Sequence, residues 1–332
     1  MVNIQPDFET IQAQIQERYQ AGDYEDALSL AQRYAPRFQD QAPLFTYWQI
    51  CFQARLGNTR RSITLLQEAL QDGIWYGEVL LRKSPSLQPL QGLPEYEDLV
   101  ALNRKVQSMD EAQQYPLILL RSEGRCSQGS AACPLLIGLH SNAGTVQTAL
   151  PFWRPAANAG WLVAAPQSSQ AVWKGAHVWD DLDASRGQIQ HHYQTILNSY
   201  AVDPRRTVLA GHSMGGDVAV WLALTGSLPA AGFLAFAPGG PFMDNSSQWQ
   251  PVVSEAVARL ALVDAPFRGY IVYGDQDRSI NPEGIHTLAS VLEAEGLLCQ
   301  VEILPGAGHD FDPKFESTLL RALAFLSPET VE

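Results

Sequence analysis

Basic residues, cysteine and long apolar runs are scarce in this 332-residue chain, and each scarcity excludes a class of protein. Lysine and arginine number 22 against 35 acidic residues, a formal net charge of −13. Nucleic-acid binding needs clustered basic side chains to replace phosphate counterions, so this charge argues against such a partner. No run of about eighteen apolar residues indicates a membrane span. Met1 to Thr10 lacks the basic and apolar regions of a signal peptide, and we therefore expect a cytoplasmic protein.

Four cysteines, at positions 51, 126, 133 and 299, match no metal-ligand spacing. We therefore expect neither a metal nor a cofactor. Cys126 and Cys133 flank a short turn rich in glycine and serine and could face each other across a hairpin. In a reducing cytoplasm we expect free thiols there, because disulfides persist mainly in oxidising compartments.

One pentapeptide has the pattern of a nucleophilic serine. Gly211 to Gly215 reads Gly-His-Ser-Met-Gly and lies between an apolar run, Arg206 to Ala210, and a helix-like stretch, Asp217 to Thr225. A serine on such a sharp strand-to-helix turn needs small neighbours, because larger side chains would collide with the strand and the helix. The pattern makes Ser213 a candidate nucleophile.

A carboxylate and a histidine follow this serine along the chain, each after a predicted strand. The run Arg268 to Tyr273 leads into a turn that ends in Asp277, and a later strand leads into a glycine-rich loop that contains His309. We predict that neutral His309 takes the proton of Ser213 while Asp277 fixes the tautomer of the imidazole. Asp275 is the alternative carboxylate, and we interpret it as a turn aspartate.

His309 is preferred over four other histidines because it combines a loop position, flanking glycines and the required chain order. His191 and His192 fall within a predicted helix, and His286 lies early in another. We expect His212, the neighbour of the candidate nucleophile, to pack or hydrogen-bond beside it rather than act as the base.

Acyl transfer also needs donors for an oxyanion, and the sequence offers two backbone N–H groups. The first belongs to Met214, directly after the candidate nucleophile. The second is predicted at Asn142, on the turn His140 to Gly144 that follows the strand Pro134 to Leu139.

These motifs, in this order, resemble the α/β-hydrolases of the carboxylesterase, phospholipase and dienelactone-hydrolase type from about Tyr115 to the C-terminus. The resemblance implies an α/β fold with a mostly parallel, eight-stranded sheet flanked by helices, forming a catalytic domain over residues 113–332. It places the site at the carboxyl ends of the strands. Ser141 departs from the pattern, since many relatives have glycine there.

Aromatic residues on three segments predict an apolar pocket for the substrate. Trp153, Trp173, Trp179 and Phe242 follow predicted strands, and ligands of open α/β sheets bind at the carboxyl ends of strands. The stretch that begins at Trp179 also resembles the tryptophan-bearing loop of phospholipase and carboxylesterase relatives.

Residues 1–112 have a different character: they are rich in glutamine and helix-periodic, with no strand-like runs. Ala21 to Leu28 and Arg55 to Ile63 align at close to the ~34-residue period of tetratricopeptide helix hairpins. This part resembles a degenerate tetratricopeptide array, and we predict a small all-α domain. Its helices are a candidate surface for a protein partner or for self-association.

Two functions of different classes fit this organisation. One is a serine hydrolase that cleaves carboxylic esters of small or acyl type through an acyl-enzyme intermediate. The alternative is a catalytically inactive hydrolase-fold adaptor that binds a peptide or protein through the N-terminal helices. The complete set of Ser213, Asp277 and His309 favours the enzyme, because each residue would be free to drift in an inactive scaffold. Ester, thioester, peptide and lipid substrates are all compatible with this triad.

Overall fold

The structure is a computed structural model that describes residues 6–110, 115–122, 126–127, 131–263, 267–310 and 315–327. The chain divides into two compact units, Met1–Gln114 with Ala171–Gly175 and Tyr115–Gln170 with Ala176–Glu332. The sequence predicted a division near residue 112, but it gave no sign that five residues from the middle of the chain group with the first unit. No helix among the described residues is long and apolar enough to span a membrane.

The first unit is mainly helical over its described residues 6–110. Its α-helices are α1 (Phe8–Ala21), α2 (Tyr24–Tyr34), α3 (Ala42–Arg55), α4 (Thr59–Gln71), α5 (Glu78–Lys83) and α6 (Pro94–Met109). Short turns join α1 to α2 and α3 to α4, and each turn contains a glycine with positive φ, 81° at Gly22 and 77° at Gly57. Glycine adopts this left-handed conformation without a steric penalty, so both turns form where the sequence places the glycine.

Buried side chains hold the helices of this unit together. Ala27 on α2 and Ser62 on α4 have no solvent exposure, and the Ser62 hydroxyl donates to the carbonyl of Ile50 at 2.8 Å. The Asn103 amide, also fully buried, bonds both backbone groups of Tyr76, at 2.9 and 2.7 Å. The helical region is present as predicted, while its identity as tetratricopeptide repeats remains a prediction.

The second unit is built on one mixed sheet. Its described strands are β1 (Leu117–Leu120), β2 (Cys133–Leu139), β3 (Leu162–Pro166), β6 (Val202–His212), β7 (Gly232–Phe236), β8 (Arg268–Gly274) and β9 (Leu298–Leu304). Their order is β1-β3-β2-β6-β7-β8-β9, with β1 antiparallel to β3 and all other neighbours parallel. The mostly parallel α/β sheet is confirmed.

The predicted number of eight strands is wrong, because this sheet has seven described strands. Two further strands, β4 (Gln170–Trp173) and β5 (Ala176–Val178), form a separate two-stranded sheet. The turn between them contains Gly175 with φ of 79°.

Two apolar layers cover the sheet. Alternate residues of a strand point to opposite faces, so Leu135 and Ile137 pack in one layer and Leu136 in the other. The first layer contains α8 (Leu182–Ser199), α9 (Met214–Leu224), α10 (Trp249–Val263) and α11 (Pro282–Ala294), and the second contains α7 (Val146–Asn158) and α12 (Phe315–Leu326). Helices cover both faces of the sheet, so side chains on both faces of the central strands are buried. This explains why the sequences of these strands are continuous apolar runs.

Cys126 and Cys133 form a disulfide, with their Cα atoms 5.3 Å apart. The expectation of free thiols is therefore wrong for this pair, because the backbone brings the two residues within the range that a disulfide spans. Residues 128–130 of the intervening turn lie outside the described residues. Cys51 and Cys299 are free and buried.

Candidate active site

Ser213 occupies the turn between β6 and α9 in a strained backbone conformation, with φ of 54° and ψ of −123°. The turn is possible because Gly211 and Gly215, two residues before and after the serine, lack side chains. A Cβ atom on Gly211 would lie 2.1 Å from the carbonyl oxygen of Gly215, and one on Gly215 would lie 2.4 Å from that of His140. The small residues of the pentapeptide are therefore sterically required, and they present the serine at the carboxyl end of β6.

Three side chains from the ends of β6, β8 and β9 form a hydrogen-bonded chain. The Ser213 Oγ lies 3.0 Å from Nε2 of His309, and Nδ1 of His309 lies 2.8 Å from Oδ2 of Asp277. A carboxylate only accepts, so Nδ1 carries the imidazole proton and the serine hydroxyl donates to Nε2. This is the arrangement in which a histidine takes the proton of a serine.

The Asp277 carboxylate has no solvent exposure, whereas the His309 side chain is 17% exposed. The other oxygen of Asp277, Oδ1, accepts from the backbone N–H of Ser279 at 2.8 Å. Both carboxylate oxygens therefore have partners, which fixes the carboxylate against the imidazole.

Asp275 is exposed and lies away from the imidazole nitrogens. Its Oδ1 accepts from the backbone N–H of Gly306 at 2.7 Å and from the side chain of Gln276 at 3.2 Å. It fastens the loop that precedes His309, a role that agrees with the interpretation as a turn residue.

The predicted oxyanion donors lie at two chain reversals. Met214 is the first residue of α9, where backbone N–H groups have no partner within the helix. Asn142 lies on the turn after β2, where the N–H of Gly144 donates to the carbonyl of Ser141 at 3.0 Å. The Asn142 N–H does not take part in this hydrogen bond.

Neutral His140 holds that turn in place. Burial lowers its pKa to about 4, so the imidazole has one proton at neutral pH. The backbone N–H of Ser168 donates to its Nε2 at 3.1 Å, which leaves Nδ1 to donate to the carbonyl of Ser141 at 2.8 Å. The sequence analysis did not assign this role to His140.

Trp179 also fastens the turn. Its side chain is fully buried, with Nε1 donating to the carbonyl of His140 at 3.0 Å. Its backbone N–H donates to Sδ of Met214 at 3.2 Å. The structure leaves this side chain without solvent exposure, so the predicted contact of Trp179 with substrate gains no support from its placement and stays a prediction.

The other three predicted pocket residues are also placed elsewhere. Trp153 is fully buried in the apolar layer of α7 and α12, 5.8 Å from the ring of Phe315. Phe242 is fully buried in the opposite layer. Trp173 belongs to the first unit and packs against its core. Each was predicted from its position after a strand, but the apolar interior takes Trp153 and Phe242, and Trp173 is only partly buried.

A cavity of about 360 Å³ opens beside the hydrogen-bonded triad. Its lining includes the sequence neighbours of two triad members, His212 before the serine and Asp310 after the histidine. The remaining lining residues are Ser141, Thr148, Ala149 and Phe152. Residues 311–314, which follow Asp310, lie outside the described residues.

Asp217 is a buried carboxylate that the sequence analysis did not single out. It has no solvent exposure, and its oxygens accept from the backbone N–H groups of Phe242 and Met243 at 3.2 and 2.6 Å. Burial raises its pKa to about 6, an effect that the two backbone hydrogen bonds oppose. The residue ties the first turn of α9 to the loop after β7.

Comparison with known proteins gives a family and a shared fold. The sequence pattern of the dienelactone hydrolase family matches residues 143–318, more than half of the chain. No curated protein matches the sequence. An uncharacterized protein from Bacillus cereus ATCC 10987 is 20% identical, with a TM-score of 0.54 over 98% of this chain and 100% of that chain.

Two other solved structures match about two thirds of the chain, each with a TM-score below 0.5. Esterase PE8 is 18% identical over 64% of this chain and 97% of its own, with a TM-score of 0.49. A phospholipase/carboxylesterase from Dyadobacter fermentans DSM 18053 is 14% identical over 63% of this chain and 96% of its own, with a TM-score of 0.46. At these identities, the likeness to solved structures speaks for the fold alone.

The raised pKa of Asp217 predicts how folding stability changes with pH. The folded state binds a proton more tightly than the unfolded state, in which an aspartate has its ordinary pKa of 3.8. The contribution of Asp217 to the free energy of unfolding is therefore fully present below pH 3.8 and is lost as the pH rises to about 6. We expect wild type to lose up to about 3 kcal/mol of unfolding free energy relative to Asp217→Asn across this interval.

Urea unfolding of both proteins at intervals from acidic to neutral pH measures this difference. Because His140 and His212 titrate in the same range with the opposite sign, only the difference between wild type and variant isolates Asp217. Parallel stability curves would contradict the prediction.

Proposed function

The chain belongs to the dienelactone hydrolase family, and we propose that it is a serine hydrolase that cleaves carboxylic ester bonds through an acyl-enzyme intermediate. The observation that carries the proposal is the continuous hydrogen-bonded chain from Ser213 through His309 to Asp277, with distances of 3.0 and 2.8 Å. The strained conformation of the serine adds support, because such strain clusters at functional sites.

In the first half of the proposed reaction, Ser213 Oγ attacks the acyl carbonyl of the ester while His309 Nε2 takes the hydroxyl proton. The buried Asp277 carboxylate stabilises the imidazolium that forms. The backbone N–H groups of Met214 and Asn142 are the proposed donors to the tetrahedral oxyanion. Collapse of this intermediate breaks the ester C–O bond, and His309 returns its proton to the leaving alcohol.

In the second half, a water molecule replaces the alcohol. His309 takes a proton from the water as its oxygen attacks the acyl-enzyme carbonyl, and the same donors receive the oxyanion. Collapse releases the carboxylic acid, and the proton returns to Ser213 Oγ. The residues end the cycle in the protonation states in which they began it.

The cavity beside the triad supports a small substrate. Its volume of about 360 Å³ lies near the lower end of the range typical of ligand pockets, roughly 300–1,000 Å³. Ala149 and Phe152 give it an apolar wall, and Ser141, Thr148 and Asp310 give it polar edges. We propose that the acyl or alcohol group of a small-molecule ester binds there.

The alternative is an inactive adaptor that binds a partner through α1 to α6. An adaptor does not need a hydrogen-bonded triad, so the triad gives this alternative no support. Binding of a partner by these helices and self-association remain predictions. A cytoplasmic location also remains a prediction. The disulfide between Cys126 and Cys133 counts against it, because disulfides are rare in reducing compartments.

Replacement of the nucleophile tests the function. We expect Ser213→Ala to lower kcat for p-nitrophenyl acetate and butyrate on the order of 10⁴-fold or more, because no other group forms the acyl-enzyme. Ser290→Ala is the matched control, since Ser290 is exposed on α11 and we expect wild-type turnover from it. Turnover retained in Ser213→Ala, with a hydrolytic wild type, would reject the assignment of the nucleophile.

A pair of aspartate variants tests which carboxylate is the partner of His309. Asp277→Asn keeps the shape of the side chain but removes the charge that stabilises the imidazolium, so we expect kcat to fall by roughly 10⁴-fold. Asp275→Asn makes the same chemical change two residues away and keeps an oxygen for the Gly306 N–H. We expect its kcat to stay within about threefold of wild type. Steady-state ester hydrolysis measures both, and a reversed order of the two effects would show that the acid is Asp275.

A further inference from the structure

We propose that His212 is a positioning residue for the reaction: its Nε2–H donates to the backbone carbonyl of His309 and holds the base against the nucleophile. The proposal rests on the proposed function, since it requires Ser213 and His309 to act as nucleophile and base. Neither the family match nor the sequence pattern assigns this role to His212.

The position of His212 is fixed by the central sheet. It is the last residue of β6, directly before Ser213, and its backbone pairs with Phe236 of β7. The residue is only 7% exposed, and its ring lies 5.8 Å from the ring of Phe236 and 5.0 Å from that of His309. A side chain held between two rings and a paired strand has little freedom to reorient.

The hydrogen bond from His212 reaches the base residue itself. Its Nε2 lies 2.8 Å from the carbonyl oxygen of His309. A carbonyl oxygen only accepts, so Nε2 must carry a proton. Burial, and after it the charge of His309, lowers the pKa of His212 to about 4, so the ring is neutral at neutral pH. The imidazolium that forms on His309 during acyl transfer therefore gains no second positive charge beside it.

This bond completes the anchoring of the loop after β9. Asp275 accepts from Gly306, and the backbone N–H of Gln276 donates to the carbonyl of Ala307 at 2.9 Å. Both of these contacts come from the turn after β8 and lie before His309. The bond from His212 acts at His309 and comes from the strand that carries the nucleophile.

The consequence is a direct mechanical link between nucleophile and base. The backbone of His309 is tied to the residue preceding Ser213, so the 3.0 Å distance between Nε2 and Oγ is set by the sheet as well as by the loop. Misplacement of a reacting group by about 1 Å can cost on the order of 10²-fold in rate. Loss of the His212 donor is therefore expected to lower kcat, and KM can change as well because His212 lines the cavity beside the triad.

Variants of His212 test this role by separating shape from hydrogen bonding. His212→Phe keeps a planar ring and removes the donor, whereas His212→Gln can place an amide N–H where the imidazole Nε2–H lies. We expect His212→Phe to lower kcat for p-nitrophenyl acetate about 10- to 100-fold, and kcat is the readout because the ring also lines the cavity proposed for the ester. His212→Gln should recover kcat to within about fivefold. His191→Phe, the same change at an exposed position on α8, should match wild type.

The outcomes distinguish failure of the inference from failure of the function. If wild type hydrolyses the ester and Ser213→Ala does not, but His212→Phe keeps kcat or changes only KM, His212 has no positioning role. Equal losses in His212→Phe and His212→Gln would also overturn the inference. If His212→Phe loses its cooperative unfolding transition, His212→Asn replaces it, because its shorter amide cannot reach the His309 carbonyl and the same fall in kcat is expected. A wild type without esterase activity, or an active Ser213→Ala, would instead reject the proposed function.

Discussion

The close approach of the first turn of α9 to the end of β2 is the contact on which the rest of the site depends. A Cβ atom on Gly215 would lie 2.4 Å from the carbonyl oxygen of His140, so the two chain segments meet backbone to backbone. Ser213 adopts its strained conformation at the end of β6, directly before this contact. The close approach brings the N–H groups at the start of α9 against the turn that contains Asn142. Trp179 donates to the same His140 carbonyl and fastens the junction from the other side.

Burial determines which protons the site holds. His140 and His212 are both more than nine-tenths buried, and burial keeps both neutral with their pKa values near 4. Each then has a single N–H, which is directed by a neighbouring carbonyl, at Ser141 and at His309. The two rings therefore serve as fixed hydrogen-bond donors that hold the turn after β2 and the loop after β9. His309, the most exposed of the three, is the one proposed to exchange protons.

Local patterns in the sequence were enough to predict the mostly parallel sheet and to choose the residues that the structure brings together. Ser213, Asp277 and His309 each follow a strand whose composition and flanking glycines are visible within about ten residues. The pocket could not be predicted in the same way, because burial of Trp153 and Phe242 depends on helices and strands distant in the chain. For His212 the sequence indicated packing or a hydrogen bond beside the nucleophile, but its partner could not be predicted, because it is a backbone carbonyl 97 residues away.

The most direct test of the account is labelling of the wild-type protein with a fluorophosphonate probe, followed by peptide mass spectrometry to locate the adduct. An activated serine attacks the phosphorus of the probe, while ordinary serine hydroxyls do not. The account predicts a single adduct on Ser213, formed at neutral pH and absent from Ser213→Ala. A folded protein that gives no adduct, or one that carries it on another serine, would contradict the central claim.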